Sequence, residues 1–211
     1  MQRRELPSFG RDGETKDRIL EEAAKLIALR GFGDVSMRDI AQAAGIQTST
    51  IYYYYRSKNI LLEDVLSRFE AIYRDYTSRM GAANRTATTL EELMDNIINL
   101  DWAEMLNPMF SLGMSIALKM QHSQVSARGR VFELFFSLSV SQVQADLDRL
   151  IERGVIPPSD TKTLSTAFMF FVIGCNDLYI HESMGAKTPM DCLELFRNLK
   201  KCMTLMLKKG A

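Results

Sequence analysis

The chain has 211 residues, enough for one large domain or two smaller ones. Hydrophobic residues make up 46% and charged residues 25%, the balance of an ordinary soluble globular protein. Its 26 Lys and Arg are matched by 26 Asp and Glu, which excludes binding driven by bulk positive charge, so any nucleic-acid contact has to come from a local face.

Residues 1–14 are polar, carry Pro7, Gly10 and Gly13, and show no periodicity, so they read as a flexible N-terminal arm. Arg3, Arg4 and Arg11 belong there either to a solvated tail or to phosphate and minor-groove contacts. Thr15 to Arg30 is amphipathic, with Ile19, Ala23, Leu26 and Ile27 on one stripe, and Thr15 stands where an N-cap is expected. Gly31 and Gly33 end this helix and Phe32 plugs the turn.

Two short helices follow. Ser36 can cap the first, whose Ile40, Ala41 and Ala44 share one face. Gly45 suits the left-handed conformation that ends a helix, because it has no Cβ to clash. Thr48 and Ser49 open the second, with Ile51, Tyr52 and Tyr55 packing inward. Two short helices on a glycine turn form a helix-turn-helix, the unit that lays its second helix in the DNA major groove. The run Tyr52 to Tyr55 adds to this reading. One helix cannot bury four adjacent rings, so two are expected at the surface beside Arg38 and Lys58.

The spacing then predicts a connector helix from Lys58 to about Met80, stopped by Gly81 and spanning about 35 Å at 1.5 Å per residue. Residues 81–89 read as a loop, and Thr89 with Glu92 has the capping-box pattern for a helix to about Leu106. Asn107-Pro108 turns the chain into a helix ending near Gln121. A very long helix is expected from Ser123 to Arg153, closed by Gly154. After the extended Val155 to Pro158, Ser159 is read as the cap of a helix from Asp160 to Met184 that is apolar almost all round at its centre. Gly185 ends it, Thr188 caps a last helix with Pro189 at its first position, and that helix runs to about Lys208. No strand or repeat is convincing, so the fold class is all-α.

Cys175, Cys192 and Cys202 form no CxxC pair and leave an odd count, which fits small buried residues in a reducing, cytoplasmic setting. The longest apolar stretch, Ala167 to Gly174, falls short of the ~18 residues of a membrane span. An enzyme is not expected. Besides His122 and His181 there is no other histidine, and there is no HExxH, GxSxG or Gly-rich phosphate loop. No metal and no cofactor are called for.

The opening TKDRILEEAAKLIALRGF, then SMRDIAQAAGI and TSTIYYYYRSKNILL, resembles the DNA-binding segment of the tetracycline-repressor (TetR) family of transcriptional regulators. The likeness covers Thr15 to Leu62, where three consecutive helices and both turns agree in spacing. Tyr55 departs from the phenylalanine usual in that family, and its hydroxyl needs a partner. The resemblance implies three parts: the arm 1–14, a helix-turn-helix domain 15–60, and a helical ligand-binding and dimerisation domain 61–211. Matched residue by residue, it puts DNA contacts at Ser36, Arg38, Thr48, Ser49, Thr50, Tyr52, Tyr53, Tyr54 and Lys58. The chemistry agrees: Arg38 can bond a guanine edge in bidentate fashion, Thr48 to Thr50 let the helix approach the groove floor, and Tyr53, Tyr54 and Lys58 suit phosphates.

Family members are homodimers with a variable, ligand-holding C-terminal domain, so the resemblance implies a dimeric repressor that reads a palindromic operator at repeats of ~34 Å and is released by a small molecule. The last two helices are the expected dimer face, at Leu164, Phe168, Phe171, Val172, Leu178, Phe196, Leu199 and Met203, with the monomer core as the alternative for about half of these by the packing rules of helix bundles. Thirteen methionines and eleven phenylalanines point to an adaptable interior for a hydrophobic effector. Candidate contacts are Trp102, Met105, Phe110, Met114, His122, Phe132, Phe136, Phe170, Asn176 and Asp177, each of which also reads as plain core. In the expected mechanism the effector shifts the population of head spacings through the connector helix. The alternative is a DNA-binding protein whose second domain only dimerises or binds a protein partner.

Overall fold

The computed structural model describes residues 11–105, 107–119, 129, 133–183 and 191–208. Among the described residues every regular element is helical. Three helices form the head: α1 (Arg11–Arg30), α2 (Met37–Ala43) and α3 (Thr48–Tyr54). The body contains α4 (Lys58–Thr86), α5 (Leu90–Met105) and α6 (Pro108–Lys119), then a π-helical turn (Leu134–Leu138) leading into α7 (Ser139–Glu152). It ends with α8 (Thr161–Ser183) and α9 (Cys192–Lys208).

Three glycines act as the sequence predicts. Gly31, Gly45 and Gly154 have φ of 83°, 64° and 69°, the left-handed region where a Cβ is penalised. Gly81 does not stop a helix. The connector runs on to Thr86, and a Cβ at Gly81 would lie 2.5 Å from the Gln142 amide nitrogen. The atom it would meet is the end of a flexible side chain, so the position gives Gln142 room without requiring a glycine.

Other boundaries also move. Helix α1 begins at Arg11, so residues 11–14 are helical, not part of an arm, and Thr15 lies inside the helix. The remaining arm, residues 1–10, is outside the described residues, as are Gly185, Thr188 and Pro189. At the start of α5 the capping box is split: Thr89 Oγ1 accepts the Glu92 amide at 3.1 Å, while the Glu92 carboxylate accepts from the amide and hydroxyl of Thr88. Asp160, not Ser159, caps α8, its carboxylate accepting from the Thr163 amide at 3.0 Å. Ser159 instead donates to the Pro157 carbonyl. The expected helix from Ser123 carries a π turn before α7, and most of residues 123–132 lie outside the described residues.

The body core is keyed by rings. Phe69, Tyr73 and Tyr76 of α4 meet Phe110 of α6 with centroid distances of 5.4–5.8 Å. Gly113 makes that crossing close, since a Cβ there would fall 2.6 Å from Cβ and Cγ of Phe69. Helix α6 also packs against α1, so the head touches the body at a second place besides the continuous α4. At the far end of α4, Asn84 donates to Asp146 at 2.7 Å, and Arg149 joins Asp146 to the Asn84 carbonyl. This polar clamp fixes α7 on the connector.

Helix α8 is unusual. Thr161–Ile180 has a mean hydropathy of 1.4, enough by length and composition to cross a membrane, although it lacks a long uninterrupted apolar run. Only 39% of its most apolar window is buried inside the chain, so apolar surface is left over.

Candidate DNA-reading face and interior cavity

The head is held together by short-range bonds. Ser36 caps α2: its hydroxyl accepts from the Asp39 amide at 3.1 Å and donates to Asp39 Oδ2 at 2.6 Å, and the Ser36 amide also donates to that carboxylate. These bonds from the Ser36 side chain and backbone hold the Asp39 carboxyl below its usual range. The Ser36 hydroxyl proton is thus committed to Asp39, and the expected phosphate bond from Ser36 would have to displace it.

In α3, the residue turned inward is Ile51. Tyr53 is 83% exposed and Tyr52 50% exposed, which corrects the expectation that Tyr52 packs inward and leaves it available on the outer face. Tyr54 is half-buried and stands edge-on to Tyr53 at 5.2 Å. Arg38, Thr48 and Ser49 are exposed and Thr50 half-buried. The outer side of the motif therefore presents one guanidinium, short hydroxyls and two phenols, the donor set that reads base edges and phosphates.

Tyr55 leaves α3 in an extended conformation, is buried, and donates its hydroxyl to Asp64 of α4 at 2.7 Å. That bond answers the polar demand its ring creates. Burial, and then the neighbouring Asp64, push the Tyr55 phenol far above its usual range. Burial opposes charge on Asp64, but hydrogen bonds from Lys16 and Tyr55 outweigh it and hold that carboxyl low. Lys16 pairs with Asp64 at 2.8 Å and Asp17 pairs with Arg68, so α1 is tied to α4 twice.

Lys58 is placed differently from the expectation. Its ammonium donates to the carbonyls of Phe32 and Val35 at 2.6 and 2.7 Å and sits 4.3 Å over the Phe32 ring. Two of its three protons hold the α1–α2 turn, so its direct role is to position the motif. Flanking carbonyls leave less of its charge for a phosphate. Spacing alone could not show this, because the partners lie 23 and 26 residues away.

Below the head, α4, α5, α6, α7 and α8 enclose a cavity. Its interior leaves about 20 Å³ for the centres of water molecules, room for about one. Of the expected ligand contacts, Phe110 and Met114 line it. Phe170 does not: at 59% exposed it points out of the body, because the turn of α8 that buries Phe168 and Met169 turns Phe170 outward. Asn176 is buried and donates to the Ser111 carbonyl at 3.1 Å, a tie between α8 and α6 away from the cavity wall. Asp177 is half-buried and outside the cavity wall. The side chains of Trp102, Met105, His122, Phe132 and Phe136 lie outside the described residues.

The cavity also has a polar side that the sequence did not reveal. Tyr76 donates to Asp101, and Tyr73 shares a hydrogen bond with Ser139. Asp101 is 3% exposed, and burial pushes its carboxyl up to about 7, with the charge of Glu104 adding to the rise against the Tyr76 bond. Its position on α5, among Leu93, Ile97 and Ile98, could have signalled it, since a carboxylate on an apolar stripe is itself unusual.

Five expected dimer positions are used inside the chain. Phe168, Val172, Phe196, Leu199 and Met203 are each at most 9% exposed. They pack α8 and α9 on one another and on the rest of the body, so they are core. Leu164, Phe171 and Leu178 remain partly exposed, beside the outward Phe170 and, on α9, Leu205 at 63%.

Residues 19–65 match the family model described as bacterial regulatory proteins, tetR family. The head belongs to the TetR family. Over 86 residues the chain is 31% identical to the HTH-type transcriptional regulator YttP of Bacillus subtilis, covering 41% of this chain and 42% of that protein. It is equally identical, over 40% of its own length and 42% of the relative's, to the HTH-type transcriptional repressor KstR2 of Rhodococcus jostii. The match thus spans about two fifths of these curated relatives. The fold agrees over a greater length. The fatty acid degradation regulator FadR of Bacillus halodurans superposes with a TM-score of 0.65 at 18% identity, covering 93% of this chain and 96% of that one. A SmeT–triclosan complex gives 0.65 at 16%, covering 93% of each. The TetR-type layout of a helix-turn-helix head on a helical body is therefore the fold of the whole chain. The relatives are regulators of transcription, not enzymes.

Proposed function

We propose that the chain is a ligand-responsive transcriptional repressor that holds a palindromic operator as a homodimer and lets go when a hydrophobic small molecule occupies the body. The observation that carries DNA binding is the outer face of α3, where Tyr52 and Tyr53 stand exposed beside Thr48, Ser49 and Arg38 in a head of known family. Solvated apolar rings at the tip of a molecule are explained by a partner they meet. Two heads are needed because one short helix makes few contacts. Leftover apolar surface on α8 and α9, at Phe170, Phe171 and Leu205, supports pairing of two chains through these helices.

Release follows the contacts of the cavity. Phe110 and Met114 lie on α6, which touches α1, and Tyr73, Tyr76 and Met80 lie on α4, which continues into the head. A molecule that enlarges the cavity displaces both helices and shifts the population toward head spacings that no longer fit the groove. The SmeT–triclosan complex shows that a protein of this fold takes an apolar molecule.

The experiment selects bound sequences from random duplexes, then measures affinity for the selected site with and without compounds. Recovery of a two-fold symmetric site bound by a dimer supports the reading, and failure to enrich any sequence sinks it. The narrowness of the cavity favours a second reading, in which the body only dimerises or binds a protein partner. Thermal unfolding with a panel of hydrophobic compounds separates the two, since a sensor is stabilised by its effector.

A further inference from the structure

The cavity joins an aromatic wall to a single carboxylate. Tyr73, Tyr76 and Phe110 contribute rings with centroids 5.4–5.8 Å apart, and Asp101 belongs to the same lining. Asp101 Oδ1 accepts from Tyr76, whereas Oδ2 is buried and has no hydrogen-bond partner among the described residues. Nor does any Lys or Arg among the described residues form an ion pair with it. Arg79, one turn from Tyr76, is committed to Asp75 and Glu104. The other polar groups of the wall are already engaged: Ser139 with Tyr73, and Gln142 with the Thr77 carbonyl at 3.3 Å.

An unpartnered carboxylate oxygen in an apolar interior is costly, and the cost falls most when a donor bearing positive charge reaches it. Aromatic faces around such a site attract the same charge. An anionic ligand would keep Asp101 protonated and gain no ion pair there, and a purely apolar one would leave its oxygen buried and unanswered.

We propose that the cavity takes an organic amine in its protonated form, with the ammonium bonded to Asp101 Oδ2 and its aryl or alkyl body against Tyr73, Tyr76 and Phe110. This rests on the reading of the body as a small-molecule sensor and narrows the effector from hydrophobic to cationic and amphipathic. Room is made by the unbranched side chains of Met80, Met114 and Met169, which line the cavity and can change rotamer without breaking a polar bond. The titratable groups around Asp101 among the described residues are Tyr73, Tyr76 and Glu104, none of which supplies a positive charge.

The test uses two probes of matched shape, phenethylamine and phenethyl alcohol. Both carry a donor, and only the amine is charged. By calorimetry on the full-length dimer the amine is expected to bind at least about tenfold more tightly, and Asp101→Asn to abolish that preference. Calorimetry of the unmutated protein at pH 6, in two buffers of different ionisation heat, is expected to show release of about one proton on amine binding, because Asp101 must ionise. Equal or tighter binding of the alcohol would leave the sensor reading standing and overturn the cationic class. Undiminished amine preference in Asp101→Asn would overturn it as well. If neither probe binds, the amine proposal is overturned, while the sensor reading is still decided by thermal unfolding with the wider panel of hydrophobic compounds.

Discussion

Head and body handle polar groups in opposite ways. In the head they sit near the surface, and the described bonds cap a helix or tie the α1–α2 turn and the end of α3 to α4: Ser36 with Asp39, Lys58 with two carbonyls, Tyr55 with Asp64. In the body they are buried, and the buried side-chain atoms without a partner among the described residues all lie there, on Asn84, Asp101, Ser115, Arg149 and Asn176. A satisfied network fixes one geometry, whereas a half-satisfied one leaves free energy for something else to release. In the proposed reading the head keeps its shape and the body is what an effector changes.

The largest test of this contrast is the ring cluster that holds the body in its resting form. Phe110 is 1% exposed and meets Phe69, Tyr73 and Tyr76. Phe110→Ala should cost about 3–5 kcal/mol, the transfer term plus the cavity left behind. Urea unfolding measures it, and a loss below about 1 kcal/mol would mean the cluster is already loose, erasing the distinction between a packed wall and an adaptable one.

Next in size is the pH response, where the buried Asp101 of the body should differ in sign from Asp39 and Asp64 of the head. Asp101 holds its proton up to about pH 7 in the folded chain against an ordinary value of 3.8, so the folded state binds more protons between those limits. Its contribution therefore falls as pH rises from about 4 to about 7 and is level above, by up to the order of 4 kcal/mol. Asp39 and Asp64 are shifted down, so their contribution is present above their ordinary range and is lost as pH falls through it. Asp101→Asn should remove the decline between about pH 4 and 7 and leave the acid-side loss untouched. Identical stability–pH curves for the two proteins would show that Asp101 is not buried as described.

What could be read in the head is what local patterns carry, whereas the long-range bonds of head and body alike, Lys58 to Phe32 and Val35 among them, could not be read. Ser36 and Asp39 are three residues apart, and Gly45 needs only its own φ, so a local pattern carries both. The Tyr76–Asp101 bond spans 25 residues, Tyr73–Ser139 66 and Asn84–Asp146 62, and no local rule pairs them. Gly81 reads as a helix stop until the helix is seen to continue to Thr86, and nothing local tells that Gly113 makes room for Phe69. Apolar periodicity found the helices, but it cannot say whether a stripe faces its own chain or a second copy. Phe168, Val172, Phe196, Leu199 and Met203 carry the same pattern as a dimer face and are core.

On the head, binding and stability should separate. Arg38 is exposed, and Arg38→Ala should leave folding within about 0.5 kcal/mol. It should cost about 1–3 kcal/mol in operator affinity and relax base preference at one position in each half-site. Unchanged affinity in a gel shift would remove Arg38 from the reading face.

The finest division lies within the tyrosine run itself. Tyr55→Phe removes a donor from Asp64 but leaves Lys16 beside that carboxylate, so the cost should be about 1 kcal/mol of stability. Tyr53 is 83% exposed, so Tyr53→Ala should change stability by no more than about 0.5 kcal/mol. Its effect should appear in DNA affinity for all sequences alike, since a phenol on a phosphate positions the helix without reading a base. Fluorescence anisotropy on operator and scrambled duplexes, alongside thermal unfolding, measures both quantities. A Tyr53 variant that unfolds early, or a Tyr55 variant that loses only DNA binding, would reverse the assignment of which ring faces the groove and which holds the head to α4.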